Sequence, residues 1–173
     1  DADILWMPGV GNFEKGAKIL SDSDLRDSLN YRFNNKKLIV GICLGMQLLG
    51  KNSEESPSGL DGLGFFDYEV QKIKPYKSKC RSPKLPHIGW NEVAYSNSDF
   101  KSGEKYYFIH SFAFKNIDEN SFCEFGITRY QNISFYSYLR KDNLLGFQFH
   151  PEKSGNPGQI LIKKTLNLCK KSY

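Results

Sequence analysis

Cys43 stands between two glycines in Gly41-Ile42-Cys43-Leu44-Gly45, after the apolar run Leu38-Ile39-Val40 and before Met46-Gln47-Leu48-Leu49. A Gly-x-Cys-x-Gly pentapeptide is the cysteine form of a nucleophile elbow, a strained strand-to-helix turn that lifts its side chain clear of a sheet. Side chains two residues before and after the nucleophile would crowd that turn, and glycine removes them. A thiol at a helix start meets the helix dipole and free backbone N–H groups, which favour the thiolate. The Leu44 N–H would then face an oxyanion forming beside the sulfur. The same five residues also fit a buried cysteine at a tight turn, and the pentapeptide alone leaves both readings open.

A thiol nucleophile needs a base, and residues 146–154, GFQFHPEKS, offer one. His150 follows an apolar run, and Pro151 restricts its backbone to extended geometry. Imidazole titrates in the range needed to take a thiol proton and return it to a leaving amine. Glu152, two residues on, is placed to orient the ring and stabilise its cation. A third stretch, PGVGNF at residues 8–13, begins like a Gly-x-Gly-x-x-Gly phosphate loop. Its last glycine position holds Glu14 and no Lys-Ser or Lys-Thr follows, which argues against nucleotide binding. The alternative is a flexible loop beside the elbow, with the Val10 or Gly11 N–H as a second oxyanion donor. Both would sit at the carboxyl ends of neighbouring parallel strands, where α/β sheets place their sites.

The elements that must position these residues are readable in outline. Residues 2–7, ADILWM, form a short apolar run that ends at Pro8-Gly9 and reads as a buried strand. Asn12 is placed to cap a helix with Phe13, Ala17 and Leu20 on one face, and a second helix carries Leu25, Leu29 and Phe33. LIVGI is apolar on both faces, as a central parallel strand should be. This alternation predicts an α/β fold, a central mostly parallel sheet flanked by helices. From GFFDYEV through HIGWNEV, KYYFIH, SFCEFGIT and ISFYSYL to LLGFQFH, short β-like runs predict an antiparallel layer joined to the sheet's edge. Asn156 is read as the cap of a closing helix, with Pro157 at its first position and Leu168 near its end. No repeat or linker interrupts residues 1–173, so one domain is expected. A parallel sheet normally opens with a complete βαβ unit of roughly 30 residues. Here the first strand starts at residue 2, so an N-terminal βα unit is expected to be missing and the chain truncated.

Composition narrows the function classes. The 173 residues are 39% hydrophobic and 25% charged, ordinary values for a globular protein with a core. No apolar run approaches the roughly 20 residues of a membrane helix, and the opening residues are not expected to be a signal peptide. The net charge of +5 is spread over Lys72 to Lys84 and Lys163 to Lys171. No groove-reading motif accompanies it, so neither nucleic acid nor membrane is an expected partner. The four cysteines form no Cys-x-x-Cys pair, and the three histidines do not sit at zinc-ligand spacing from them. No metal and no cofactor is expected. So few cysteines point to a reducing, cytoplasmic setting, with Cys80, Cys123 and Cys169 read as buried small hydrophobes.

PGVGNF, GICLGMQLL, PHIGWNEV, YFIHSF and GFQFHPEKS occur in the order seen in class I, triad-type glutamine amidotransferases. The chain resembles that family over nearly its whole length, and within it the glutaminase subunits that serve imidazole glycerol phosphate synthase in histidine biosynthesis. The resemblance implies a flavodoxin-like amidotransferase fold. It implies Cys43 as nucleophile, His150 as acid/base and Glu152 as orienting carboxylate, with oxyanion N–H groups from Val10 and Leu44. It further implies that Gly9, Gly11, Gln47, Glu55, Ser111 and Phe112 surround L-glutamine, with the Glu55 carboxylate pairing its ammonium. Trp90, Asn91 and Lys153 resemble positions that meet a (β/α)8-barrel cyclase in a heterodimer. Against these stand plainer readings: Glu55 as a solvated loop charge, Gln47 on an exposed helix face, Trp90 in the core. His87 and His110 are expected to serve structure. Because glycines flank Val10, its peptide is free to turn, and the oxyanion hole is expected to form fully only when a partner docks. Three other functions fit the same chemistry or docking surface: an amidotransferase feeding a surface sugar, a free-standing γ-glutamyl hydrolase, and a silent docking subunit.

Overall fold

A computed structural model describes residues 2–74 and 84–169. The chain opens with strand β1 (Ile4–Gly9), helices α1 (Phe13–Ile19) and α2 (Ser23–Asn34), strand β2 (Leu38–Cys43) and the short helix α3 (Leu44–Leu48). Asn12 caps α1 by accepting the Lys15 N–H, and Phe13 and Ala17 are buried. Asp22 caps α2 through the Asp24 and Leu25 N–H groups. The apolar face of α2 is narrower than its spacing predicts. Leu29 is buried, Phe33 is half-buried against Phe65, and Leu25 faces outward.

Strands β3 (Gly50–Ser53), β4 (Phe66–Lys72), β5 (His87–Glu92), β6 (Ala94–Ser96), β7 (Lys105–His110), β8 (Phe112–Phe114), β9 (Glu124–Tyr130), β10 (Ile133–Lys141) and β11 (Leu144–Phe147) follow, then helix α4 (Gly155–Cys169). Nine strands form one sheet in the order β1-β2-β11-β10-β8-β4-β3, with β9 and β6 continuing from β10, while β5 and β7 pair separately. Among the described residues the parallel pairings are β1–β2, β2–β11 and β3–β4. The sheet is therefore more mixed than the alternation of elements predicts. Most of the expected antiparallel layer is hydrogen-bonded into the main sheet. The turns explain it: Tyr130 pairs with Ile133 and Lys141 with Leu144, so each hairpin turns in two residues. Two-residue turns admit only antiparallel strands, and Gln131 and Asp142 take the positive φ such turns require.

Strand β2 is apolar throughout because both its faces are covered. Ile39 joins the cluster that contains Phe13, Ala17 and Leu29 from α1 and α2. Its neighbour Val40 joins the opposite cluster with Phe147, Phe149 and Leu161 of α4. Helix α4 begins two residues before the expected first position, since the Ser154 carbonyl already accepts the Gly158 N–H. Among the described residues no helix is long and apolar enough to cross a membrane.

Candidate active site

Cys43 ends β2 with φ 52° and ψ −107°, a conformation rarely held by a side-chain-bearing residue. Helix α3 starts at the next residue. The elbow expected from the glycines is thus present, but the crowding they relieve lies between the strands and α3. A Cβ on Gly41 would come within 2.6 Å of the Met46 nitrogen. One on Gly45 would lie 1.7 Å from the Met7 carbonyl oxygen of β1. The sulfur is almost enclosed, the residue being 5% exposed. Its S–H points to the Ile109 carbonyl at 3.8 Å, and Gln148 Nε2 donates to it at 3.8 Å.

The expected thiolate is not the resting form. Burial pushes the Cys43 thiol up to about 11. The Leu44 N–H opposes this, as do Lys153 and the Gln148 amide, while the Glu152 charge reinforces it. Helix α3 has only five residues, and the few N–H groups at its start do not outweigh desolvation of the sulfur.

A protonated thiol needs a base, and the setting of His150 suits that part. The adjacent strands β2 and β11 run parallel with Ile42 opposite Phe147. Cys43 and Gln148 thus leave the sheet side by side, with His150 two residues further on. The His150 backbone is extended, φ −105° and ψ 94°, as Pro151 demands. Its N–H donates to the Tyr107 carbonyl at 2.8 Å, and Ser154 Oγ donates to its carbonyl at 2.5 Å. The ring is buried, and its Nδ1 lies 2.6 Å from Glu152 Oε1. A carboxylate can only accept, so Nδ1–H donates to it and Nε2 is the ring nitrogen left free. Nε2 is buried and has no hydrogen-bond partner among the described residues. Orphaned buried polar atoms are rare, and such an atom is a candidate for a chemical role.

The loop after β1 lies beside the elbow, because Gly9 is in register with Cys43. A Cβ on Gly9 would sit 3.1 Å from Leu44 Cβ. Val10 and Leu44 therefore follow paired residues, and their peptides stand next to one another at the sheet end. Val10 is 67% exposed and Gly11 holds φ 131°. Glu55 is not an idle charge: its Oε2 accepts the Phe13 N–H at 2.7 Å, anchoring the start of α1 against this loop. Its neighbour Glu54 is occupied elsewhere, accepting from the Lys72 N–H and Lys74 Nζ. Gln47 is buried, not on an exposed helix face; its Nε2 donates to the Phe112 carbonyl at 2.8 Å and to Gln148 Oε1 at 3.1 Å. Ser111 is half-buried, its carbonyl accepting the Ile73 N–H at 2.8 Å. Trp90 is 55% exposed, and Lys153 is exposed on the turn after His150.

His87 and His110 form a buried pair, His87 Nδ1 to His110 Nε2 at 3.2 Å. His110 Nδ1 reaches the Phe112 carbonyl at 2.9 Å, and the Asn91 amide reaches His87 Nε2 at 3.4 Å. A carbonyl can only accept and an amide nitrogen can only donate. Each ring is thus neutral, with its proton on Nδ1. Burial depresses both, His87 to about 4 and His110 to about 3, the latter helped by His87. Below the ordinary histidine range the unfolded chain therefore binds protons that the folded chain refuses. Stability is expected to fall as pH drops through about 6.5, by about 1.4 kcal/mol per pH unit for each ring. Melting temperatures at about pH 7.5 and about pH 5 measure this, and equal values would exclude a neutral pair.

Three contributors escaped sequence reading: Gln148, Ser154 and the Ile109 carbonyl. Gln148 alone had a signal, a polar residue between two phenylalanines in an otherwise apolar run. Cys123 is exposed rather than buried, since Phe122 takes the inward position beside it. Cys80 and the side chain of Cys169 lie outside the described residues. Among the described residues no three His, Cys, Asp or Glu side chains gather as a metal site would.

An elbow thiol, an imidazole with a free buried nitrogen and a carboxylate holding that imidazole are the parts of an acyl-transfer enzyme with a sulfur nucleophile. The chain belongs to one such family: the sequence model described as glutamine amidotransferase class-I matches residues 1–168. It is 41% identical over 168 residues to the imidazole glycerol phosphate synthase subunit HisH of Thermotoga maritima, covering 95% of this chain and 75% of that protein. It is 40% identical to the subunit of the same name from Pyrococcus furiosus, covering 94% and 80%. The Escherichia coli O157:H7 subunit is 36% identical, covering 96% and 81%. Among solved structures, a crystal structure of a glutamine amidotransferase superposes with TM-score 0.69 at 18% identity, covering 97% of this chain and 79% of that one. PurLQS from Thermotoga maritima gives TM-score 0.67 at 18% identity, covering 97% and 80%. At that identity the likeness bears on the fold, which is the α/β amidotransferase fold expected.

Proposed function

We propose that this chain is the glutaminase subunit of an imidazole glycerol phosphate synthase, with residues 1–173 acting as one amidotransferase domain. It hydrolyses L-glutamine to glutamate and ammonia, and the ammonia passes to a cyclase partner built as a (β/α)8 barrel. The observation that carries the reading is the buried, unpartnered Nε2 of His150, held by Glu152 at the end of the strand beside Cys43.

The chemistry follows from the protonation states. His150 Nε2 takes the Cys43 proton as the sulfur attacks the carboxamide carbon of glutamine. The carbonyl oxygen becomes an oxyanion facing the Leu44 and Val10 N–H groups. Collapse breaks the C–N bond, and the imidazolium returns its proton to the departing nitrogen, giving ammonia and a glutamyl thioester. Water then attacks the thioester while His150 accepts its proton. The second collapse releases glutamate and restores the thiol. A thiol pushed up to about 11 by burial makes removal of its proton depend on His150. Glutamine is held by Gln47, Glu55 and the backbone from Ser111 to Phe112, beside Gly9 and Gly11.

The partner reading rests on an apolar surface over the thiol. Ile88, Trp90 and Ile109 are exposed, Ile88 pairs with Ile109 across β5 and β7, and the Ile109 carbonyl touches the Cys43 sulfur. Lys153 is exposed on the neighbouring turn, whereas the Asn91 side chain turns to the other face of β5 and donates to the Arg129 carbonyl. A cyclase seated here would cover the site and press on the Val10 loop. Loss of one oxyanion donor typically costs about 10²-fold or more in turnover. Glutamate release is therefore expected to rise by about 10²-fold when the barrel subunit is added. Equal turnover with and without it would refute the partner-completed oxyanion hole.

A further inference from the structure

We propose that Gln148 is a positioning residue for the Cys43 thiol, its side-chain amide serving as the fixed donor that orients the sulfur and steadies the thiolate as it forms. This rests on the glutaminase reading only for its effect on turnover. The residue is fully buried, between Phe147 and Phe149, where an amide is costly unless its groups are paired. Both ends are paired. Nε2 donates to Cys43 Sγ, and Oε1 accepts from Gln47 Nε2. The second N–H of Gln47 is in turn spent on the Phe112 carbonyl, which also accepts from His110 Nδ1. The amide thus cannot rotate without breaking contacts at both ends, and it presents N–H, never C=O, to the sulfur.

The electrostatics give that donor work to do. Around the sulfur the charges are those of Glu152, which opposes the thiolate, and Lys153, which favours it. The ring of His150 and, behind it, the neutral ring of His110 are the other titratable groups. Lys153 is exposed, and its effect is screened by salt. The Leu44 N–H also faces the sulfur, but in the reaction it must serve the oxyanion. Gln148 is the buried donor whose geometry does not change when the oxyanion forms.

The test uses the whole chain and needs no identified partner. Gln148→Met keeps length and bulk while removing the N–H. Alkylation of Cys43 by iodoacetamide, followed peptide by peptide with Cys123 as internal reference, reports the thiolate at each pH. In Gln148→Met the alkylation profile is expected to move up by about one pH unit, as loss of a hydrogen bond to a charged group implies. The kcat for glutamine should fall about tenfold or more with KM nearly unchanged. Gln148→Glu, which sets a carboxylate beside the sulfur, should shift the profile further. An unchanged profile in a folded Gln148→Met overturns the proposal. Should that variant fail to fold, the side-chain amide resonance of Gln148 in the unmutated protein decides. It must shift as Cys43 titrates and on Cys43→Ala, and a resonance that does neither also overturns it. If no form hydrolyses glutamine, even with the barrel subunit added, while the alkylation shift is present, the glutaminase reading fails and the role of Gln148 stands.

Discussion

Cys43→Ser is expected to lower glutamate formation by at least about 10⁴-fold while leaving the melting temperature nearly unchanged. Serine fills almost the same volume in a pocket where residue 43 is 5% exposed, so packing is preserved. The hydroxyl can also take the Gln148 N–H that the sulfur accepts. What changes is the nucleophile. Burial already pushes the thiol up to about 11, and the same pocket acts on a hydroxyl that starts far higher. An imidazole cannot remove that proton at a useful rate. His150→Ala should cost a similar factor, because it removes the nitrogen proposed as the base. Glu152→Ala should be milder by about one to two powers of ten. Its side chain is 45% exposed, so water replaces part of its influence on the ring. Glutamate release and an electrophilic glutamine analogue are the two readouts. Residual turnover above about one per cent in Cys43→Ser would remove the sulfur from the mechanism.

Some of this site was legible in the sequence because it is local. The glycine spacing around Cys43, the Asn12 cap and the effect of Pro151 on His150 each depend on a few neighbours, and each is found in place. The protonation state of Cys43 is a different matter. Helix start and dipole are local and argue for thiolate, but desolvation comes from strands far along the chain, such as the one that carries Ile109. Gln47 illustrates the same limit: on a helix its face is undetermined until Gln148 and Phe112 arrive, 101 and 65 residues away. The sheet was legible in its members but less so in its directions. Val40 and Ile42 announce a buried strand whatever runs beside them. Parallel or antiparallel pairing is decided by turns such as Asp142-Asn143, whose two-residue length shows only once the flanking pairs are known. Cys123 was misread because its burial depends on which of two adjacent apolar residues turns inward.

Gly45→Ala is expected to be the most damaging single methyl group this chain can receive. A Cβ there would lie 1.7 Å from the Met7 carbonyl oxygen, well inside any contact distance. Met7 cannot retreat, because β1 is paired with β2 from Ile4 to Gly9, with Met7 opposite Gly41. Nor can α3 slide sideways over β2, since it lies so close there that a Cβ at Gly41 would come within 2.6 Å of the Met46 nitrogen. Relief requires breaking the β1–β2 ladder or lifting α3 off the sheet, a cost above about 4 kcal/mol. That is a large share of the roughly 5–15 kcal/mol that holds a domain folded. Gly59→Ala is the control: φ is +73° but nothing lies within 4 Å of a Cβ there. It should cost only the left-handed backbone strain, about 1–2 kcal/mol. Thermal melts should therefore show Gly59→Ala lowered by a few degrees and Gly45→Ala largely unfolded. A Gly45→Ala protein melting close to the unmutated chain would mean that α3 does not lie against β1 as described. The strained angles of Cys43 depend on that close approach, because the strand must turn into the helix with no room for a side chain at either glycine. The nucleophile's posture is thus set by how closely β1 and α3 meet, and the glycines of the motif are needed first for packing and only through it for chemistry.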